Sequence, residues 1–230
     1  GCTLMAIHQA LFAKLGVVTD GLIMHLDAAN SSSYSGSGTT WSDLSGNSND
    51  GTLNNGPTFS TDNGGAIVFD GSNDYVNTIN LNSYTNLTIE MWIYEGRDIP
   101  NLSSGEADIL TYNGTGGGGS FTFSDNSFGV RFRTAGNGNP GRKVDIASVP
   151  AQNQWYRFCY IKNGSLWLDE TEYTNFSGSE NNYNDLDIGR SRTDINQFLN
   201  GKVSNVRVYN KSLSAAEVQQ NYDALKLRFT

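Results

Sequence analysis

Trp41-Ser42-Asp43-Leu44-Ser45-Gly46-Asn47-Ser48-Asn49-Asp50-Gly51-Thr52-Leu53 decides the fold, together with a second stretch, Phe69-Asp70-Gly71-Ser72-Asn73-Asp74-Tyr75-Val76. In each, Gly, Asn and Asp are clamped between apolar residues. Gly and Asn enter the left-handed backbone region cheaply, and Asp and Ser side chains bond the backbone two residues on. Such stretches turn one β-strand into the next.

Outward from these turns the chain breaks into short apolar runs bounded by Gly, Asn, Asp or Ser. The runs 22–27, 66–69, 75–78, 87–94, 108–112, 120–123, 128–133, 155–161, 165–168, 185–189 and 202–209 read as strands of a sandwich or barrel. In 128–133 the alternation is clean, with Phe128, Val130 and Phe132 inward and the arginines outward. Asn163-Gly164 marks a hairpin. Val203, Val206 and Val208 cannot share one face of a regular strand, so a β-bulge is expected near Ser204–Asn205.

Two segments are helical in pattern. Near the C-terminus, Ser214 and Glu217 form a capping box, and Leu213 and Val218 a hydrophobic staple. Val218, Tyr222 and Leu225 then line one face. Near the N-terminus, Leu4, Ile7, Leu11 and Leu15 fall at helical spacing, with Gly16 placed to end the helix. About three turns is marginal for a helix alone in water, so this arm must dock, and it is expected to pack against another copy or another protein of an assembly and not only its own sandwich.

Composition narrows the function. Charged residues are 17% and glycines number 26 among 230 residues, which describes one turn-rich sheet domain rather than a helical protein. The net charge of −8 and the lack of a basic stripe argue against phosphate-driven binding of nucleic acid. The densest basic group, Arg131, Arg133, Arg142 and Lys143, reads as a solvated sheet face. Cys2 and Cys159 are too few for a disulfide framework, and Cys159 reads as a small buried hydrophobe. No apolar run reaches the ~18 residues of a membrane span. Residues 4–18 lack the basic start and small-residue cleavage site of a signal peptide.

The two turns, the strand Leu87-Thr88-Ile89-Glu90-Met91-Trp92-Ile93 and the strand start Gln154-Trp155-Tyr156 occur in an order that resembles the laminin-G-like domains of the concanavalin A-like lectin/glucanase superfamily. So do Gly201-Lys202-Val203 and Tyr209-Asn210-Lys211-Ser212-Leu213-Ser214-Ala215-Ala216-Glu217-Val218 at the close. The resemblance implies an all-β, two-sheet antiparallel jelly-roll sandwich over 20–230, with a short N-terminal helical arm over 1–19 and a C-terminal helix. Leu26-Asp27-Ala28 and Asn221-Tyr222 also resemble domains of tailed-phage structural proteins. That narrower likeness implies a non-enzymatic decoration or fibre-type protein of a virion surface. Its partners would be further copies in a homo-oligomer, other particle proteins and host glycans. The alternative is a secreted carbohydrate-binding or adhesion module of a cellular organism. Fold alone does not choose between them.

Candidate chemistry is sparse. The glucanase branch places two or three carboxylates on one strand face, about 5–5.5 Å apart in a retaining enzyme. Here Glu90 and Glu95 differ by an odd number and point to opposite faces of a regular strand, so no glycoside hydrolysis is expected. His8 and His25 have no positioned partner in the sequence. Relatives bind calcium near their turns, which makes Asp43, Asn47, Asn49 and Asp50 the candidate metal ligands, with Asp70, Asn73 and Asp74 a second set. The same side chains could instead make Asx-turns with their own backbone. Tyr34, Trp41, Tyr112 and Tyr183, in or beside loops, are the candidate sugar-stacking aromatics, whereas Trp92 and Trp155 read as core.

Overall fold

The computed structural model describes residues 16–81, 83–97, 106–114, 117–126, 129–136, 143–146, 151–178, 185–190 and 198–230, the three segments between 106 and 136 by their backbone alone. Among the described residues sixteen β-strands form two antiparallel sheets. The first contains β1 (Leu22–Asp27), β4 (Thr58–Ser60), β5 (Ala66–Asp70), β7 (Thr88–Glu95), β12 (Gln154–Ile161), β13 (Leu166–Leu168), β14 (Thr171–Tyr173) and β16 (Asn200–Tyr209). Its order is β14-β13-β12-β7-β16-β5-β4, with β1 also paired to β16. The second contains β2 (Thr40–Trp41), β3 (Gly51–Asn54), β6 (Tyr75–Asn80), β8 (Glu106–Gly114), β9 (Gly117–Asn126), β10 (Gly129–Gly136), β11 (Lys143–Ile146) and β15 (Asp185–Ile188). Its order is β11-β10-β9-β8-β15-β6-β3-β2.

Alternation along the strands builds the core between the sheets. Ile89, Met91, Ile93, Phe158, Val203, Val206 and Val208 enter it from the first sheet, and Leu53, Val76, Leu186 and Ile188 from the second. The expected bulge is present: the β16–β7 register shifts between Val203 and Asn205, which lets all three valines reach zero exposure. Helix α1 (Ala215–Leu225) starts with the expected capping box at Ser214 and Glu217. Its Val218 packs with Leu213, Tyr209, Ile161, Trp167 and Cys159 against the outer side of the first sheet.

Five strands escape the sequence pattern: β2, β3, β4, β11 and β14. Each has four residues or fewer, which is too short for a period to show. Residues 1–15 of the expected arm, with Leu4, Ile7, Leu11 and Leu15, lie outside the described residues. Val18, expected in the arm, belongs to the sandwich. It is buried against α1, and its N–H donates to Asn221 Oδ1 at 2.8 Å.

Candidate functional site

The carboxylates come first, because they decide for or against hydrolysis. Glu90 leaves β7 on the side away from the core, but α1 covers that side and Glu90 has no exposure. Its Oε1 lies 3.2 Å from Arg207 Nη2 and 3.7 Å from Arg157 Nη1, both arginines equally buried. Its Oε2 accepts from Asn221 Nδ2 of α1 at 2.8 Å. Arg157 also donates to the Val218 carbonyl at 2.8 Å and sits 4.9 Å over the Tyr222 ring. Trp92 stacks on Phe229 at 4.2 Å. Burial acts most strongly, against the Arg207 charge, but Glu90 together with Tyr209, Asp27 and Cys159 outweighs it and keeps the guanidinium above its ordinary pKa. His25, opposite Arg207 in the register, is lowered to about 4 by burial first and by the Arg207 charge second. Burial pushes the Cys159 thiol far up and makes it inert. Glu95 is held by Arg97 at 2.7 and 2.8 Å. Both carboxylates are therefore committed to arginines, and they leave β7 on opposite sides.

The candidate calcium turn is closed on itself. Asp43 Oδ1 accepts from the N–H groups of His25 and Ser45, at 2.7 and 2.9 Å. Oδ2 accepts from Ser45 Oγ at 2.7 Å and from the Asn49 N–H at 3.0 Å. Asp50 Oδ1 accepts from the Asp43 N–H at 2.7 Å. Asn47 and Asn49 turn their amide nitrogens toward the Ile23 carbonyl, at 3.4 and 2.6 Å. Burial acts to raise the Asp43 carboxyl, but the bonds from Ser45, His25 and Asn49 hold it below its usual value. Asp70 makes a smaller Asx-turn through the Ser72 N–H at 2.8 Å. This donor set does not fit calcium, which wants six to eight free oxygens. Among the described residues no three His, Cys, Asp or Glu side chains group to hold a metal.

The aromatic candidates are corrected by burial. Trp41 is wholly inside the core, because β2 pairs with β3 and swings its ring inward. Tyr34 is 4% exposed, its hydroxyl donating to the Gly38 carbonyl at 2.9 Å. Neither ring can stack on a sugar. Tyr112 pairs with Leu186 in the β8–β15 register, and its side chain lies outside the described residues, as does Tyr183.

The outer face of the second sheet holds what the sequence did not flag. Val76, Leu186 and Ile188 point into the core, so Tyr75, Asn77 and Asp187 point out. One register row runs Thr40, Thr52, Asn77, Asp187, Thr111 across β2, β3, β6, β15 and β8. Thr40 and Thr52 are exposed. Asp187 is fully buried, and Asn77 donates to its Oδ1 at 2.6 Å. Arg190 Nε and Nη2 hold its Oδ2 at 2.8 and 2.6 Å. The Arg190 guanidinium lies 3.5 Å from the Tyr75 ring centroid and keeps 24% of its side chain exposed. Asn80 donates to Asp185 at 2.7 Å in the next row. Arg190 and Asp187 are three residues apart, but Tyr75, Asn77 and Asn80 lie more than a hundred residues from their partners, so no local pattern could join the two strands. The alternation Asp185-Leu186-Asp187-Ile188 was the one available signal. A separate cleft of about 350 Å³, lined by Val144, Asp145, Glu172, Tyr173, Thr174 and Asn175, opens between edge strands β11 and β14. It lies four strands from β15, roughly 19 Å away.

Comparison with known proteins agrees with this architecture. A laminin-G-type family model, described as concanavalin A-like lectin/glucanases superfamily, matches residues 70–219. No curated protein matches in sequence. A Trypanosoma rangeli sialidase mutant displaying trans-sialidase activity is similar at 18% identity and a TM-score of 0.66, over 93% of this chain and 34% of that one. Domain 4 of AbnA, a GH43 extracellular arabinanase from Geobacillus stearothermophilus, solved with arabinotriose, aligns at 16% identity and a TM-score of 0.63, over 88% of this chain and 98% of that one. The binding domain of Paraclostridial Mosquitocidal Protein 1 aligns at 16% identity and a TM-score of 0.61, over 89% and 52%. The chain spans about a third of the sialidase it matches. With the two-sheet sandwich, the covering helix and the family match in agreement, this chain belongs to the concanavalin A-like lectin/glucanases superfamily.

Proposed function

We propose that this chain is a non-catalytic carbohydrate-contacting module, working at a surface through the outer face of its second sheet. The observation that carries the reading is the row Thr52–Asn77–Asp187 with Arg190 laid on Tyr75. It is a partly open, hydrogen-bond-rich face on a rigid sheet, whereas the outer face of the first sheet is covered by α1. Sugar recognition needs such fixed polar groups beside a flat apolar surface. The arabinanase domain, of nearly the same extent and solved with arabinotriose, supports it by analogy of fold. Committed carboxylates at Glu90 and Glu95 speak against hydrolysis by a retaining pair on β7. The test is titration with a panel of oligosaccharides, wild type against Tyr75→Ala. Binding that the variant loses while keeping its melting temperature supports the reading. Binding unchanged in the variant, or none across the panel, overturns it.

A place on a virus particle, with a homo-oligomer and particle proteins as partners, is the second reading. Its residues do work that the sandwich itself requires. Leu26 is core, Asp27 clamps Arg228 at 2.9 and 3.0 Å, and Asn221 bridges Glu90 and Tyr209. These contacts favour the fold and are silent on the source. The glycan-contacting reading, on the outside of a cell or a particle, is therefore preferred.

A further inference from the structure

Arg190 carries more than the stability of Asp187, and the geometry points to a site for the carboxylate of an acidic sugar. This deepens the glycan-contacting reading and rests on it. A guanidinium offers several hydrogen-bonding edges. Here the Nε–Nη2 edge is taken by Asp187 Oδ2, at 2.8 and 2.6 Å. Asp187 is itself fixed, with no exposure and with Oδ1 accepting from Asn77 at 2.6 Å. The plane is fixed from a third direction by the Tyr75 ring, 3.5 Å from the guanidinium carbon. Among the described residues Nη1 makes no hydrogen bond, and the side chain is 24% exposed. The Nη1–Nη2 edge is therefore held in one orientation with donors left over.

Immobilising an arginine costs rotamer freedom, and that cost is already met in the folded protein. What remains is a planar fork, the shape that pairs with a carboxylate through two parallel hydrogen bonds. Asp187 balances the Arg190 charge and the whole chain carries −8, so a densely charged phosphate polymer gains little here. A single carboxylate relies on geometry more than on net field. Thr52, paired with Asn77, and Asn54, paired with Tyr75, add hydroxyl and amide groups on β3 for the sugar's own hydroxyls. Hexuronic and nonulosonic sugars both present a carboxylate on a hydroxylated ring.

The test compares each acid with its uncharged counterpart, by calorimetry on the whole chain. Trigalacturonate is set against its methyl ester, and sialyllactose against lactose. One acid should bind at least about tenfold tighter than its counterpart, more so at low salt. The preference should vanish in Arg190→Gln. Because that variant takes the counter-charge away from buried Asp187, Arg190→Gln/Asp187→Asn serves beside it, with folding checked by circular dichroism. Equal binding of acid and counterpart overturns the carboxylate site and leaves the glycan reading standing. Preference for an acid that survives both variants also overturns the site. No binding of any probe overturns the glycan reading and this inference with it.

Discussion

On the first sheet the outward charges Glu90, Arg157 and Arg207 lie beneath α1 with no exposure, whereas on the second sheet Thr40, Thr52 and Asn77 of the outward row, with Arg190 beside it, keep their contact with water. Strand alternation is the same on both sheets, so position on a strand does not decide the fate of a polar side chain. The cover does. Under α1, Arg157 reaches the Val218 carbonyl and Glu90 reaches Asn221, so the helix is bolted down through charges. On the open sheet buried Asp187 is used to aim a partly exposed arginine. A carboxylate on a lectin-like strand is thus a poor sign of catalysis until its cover is known.

The largest effect belongs to the covered face. Glu90→Leu removes the shared counter-charge of Arg157 and Arg207 and leaves two guanidinium groups buried against it. Breaking a buried pair in this way costs about 3–5 kcal/mol, to be read from urea unfolding. A loss below 1 kcal/mol would mean that water reaches the cluster and that the covered face is open after all.

Next comes pH. His25 on the covered face has its folded pKa lowered to about 4 from 6.5. Above 6.5 both folded and unfolded states hold it neutral and nothing changes. As pH falls through 6.5 the unfolded state takes the proton first, so stability declines until about 4. At 1.4 kcal/mol per unit the full loss is roughly 3.5 kcal/mol. His25→Gln should flatten that part of the stability curve. An unaltered slope between pH 6.5 and 4 would show that His25 is solvated.

Helix capping is smaller. The Ser214 side chain accepts from the Glu217 N–H and Glu217 reaches back to the Ser214 N–H at 2.8 Å. Ser214→Ala should cost about 1 kcal/mol. Because α1 is pinned by charges further along, that loss should leave Trp92 fluorescence folded-like below the transition. A blue- or red-shifted native baseline would show that the cap, not the ion cluster, seats the helix.

Sequence and structure agree where the signal is local. The bulge at Val203–Asn205, the capping box and the long strands depend on neighbours a few residues away, and each was legible. Parity puts Glu90 and Glu95 on opposite sides of β7, but it does not show that α1 covers Glu90. Trp41 was not placed, because its burial depends on β2, a two-residue strand with no period of its own, and Tyr34 was not, because its ring packs beside Phe59 on β4, a strand too short to show a period. Arg190 was missed for a different reason. Its meaning comes from Tyr75 and from Asp187, whose own partner Asn77 lies 110 residues away. Alternation shows that Asp187 faces outward but not what meets it there.

On the open face stability and binding should separate. Thr52 is exposed on β3, so Thr52→Val should change stability by less than about 0.5 kcal/mol. The same change removes a hydroxyl beside Asn77 and should weaken oligosaccharide binding several-fold in the titration above. Loss of both together would make the open face a structural one like its counterpart.

The smallest effect is expected at the Asp43 turn, where Asp43, Ser45 and Asn49 are half-buried and Asn47 and Asp50 exposed, but which is chemically closed. A metal ion stabilises a protein only through binding that the native state offers and the unfolded chain does not. Here both Asp43 oxygens already take two donors each, and Asp50 Oδ1 takes the Asp43 N–H. Calcium would have to displace four hydrogen bonds from a carboxylate that they hold below its usual pKa. Melting in excess EDTA and in millimolar calcium should therefore coincide. Asp43→Ala should destabilise equally in both, since what it removes is a set of turn hydrogen bonds. A melting temperature raised by calcium in the wild type and not in Asp43→Ala would show that the turn opens to a cation, and that being closed in this fold is a property of the ligand state rather than of the sequence.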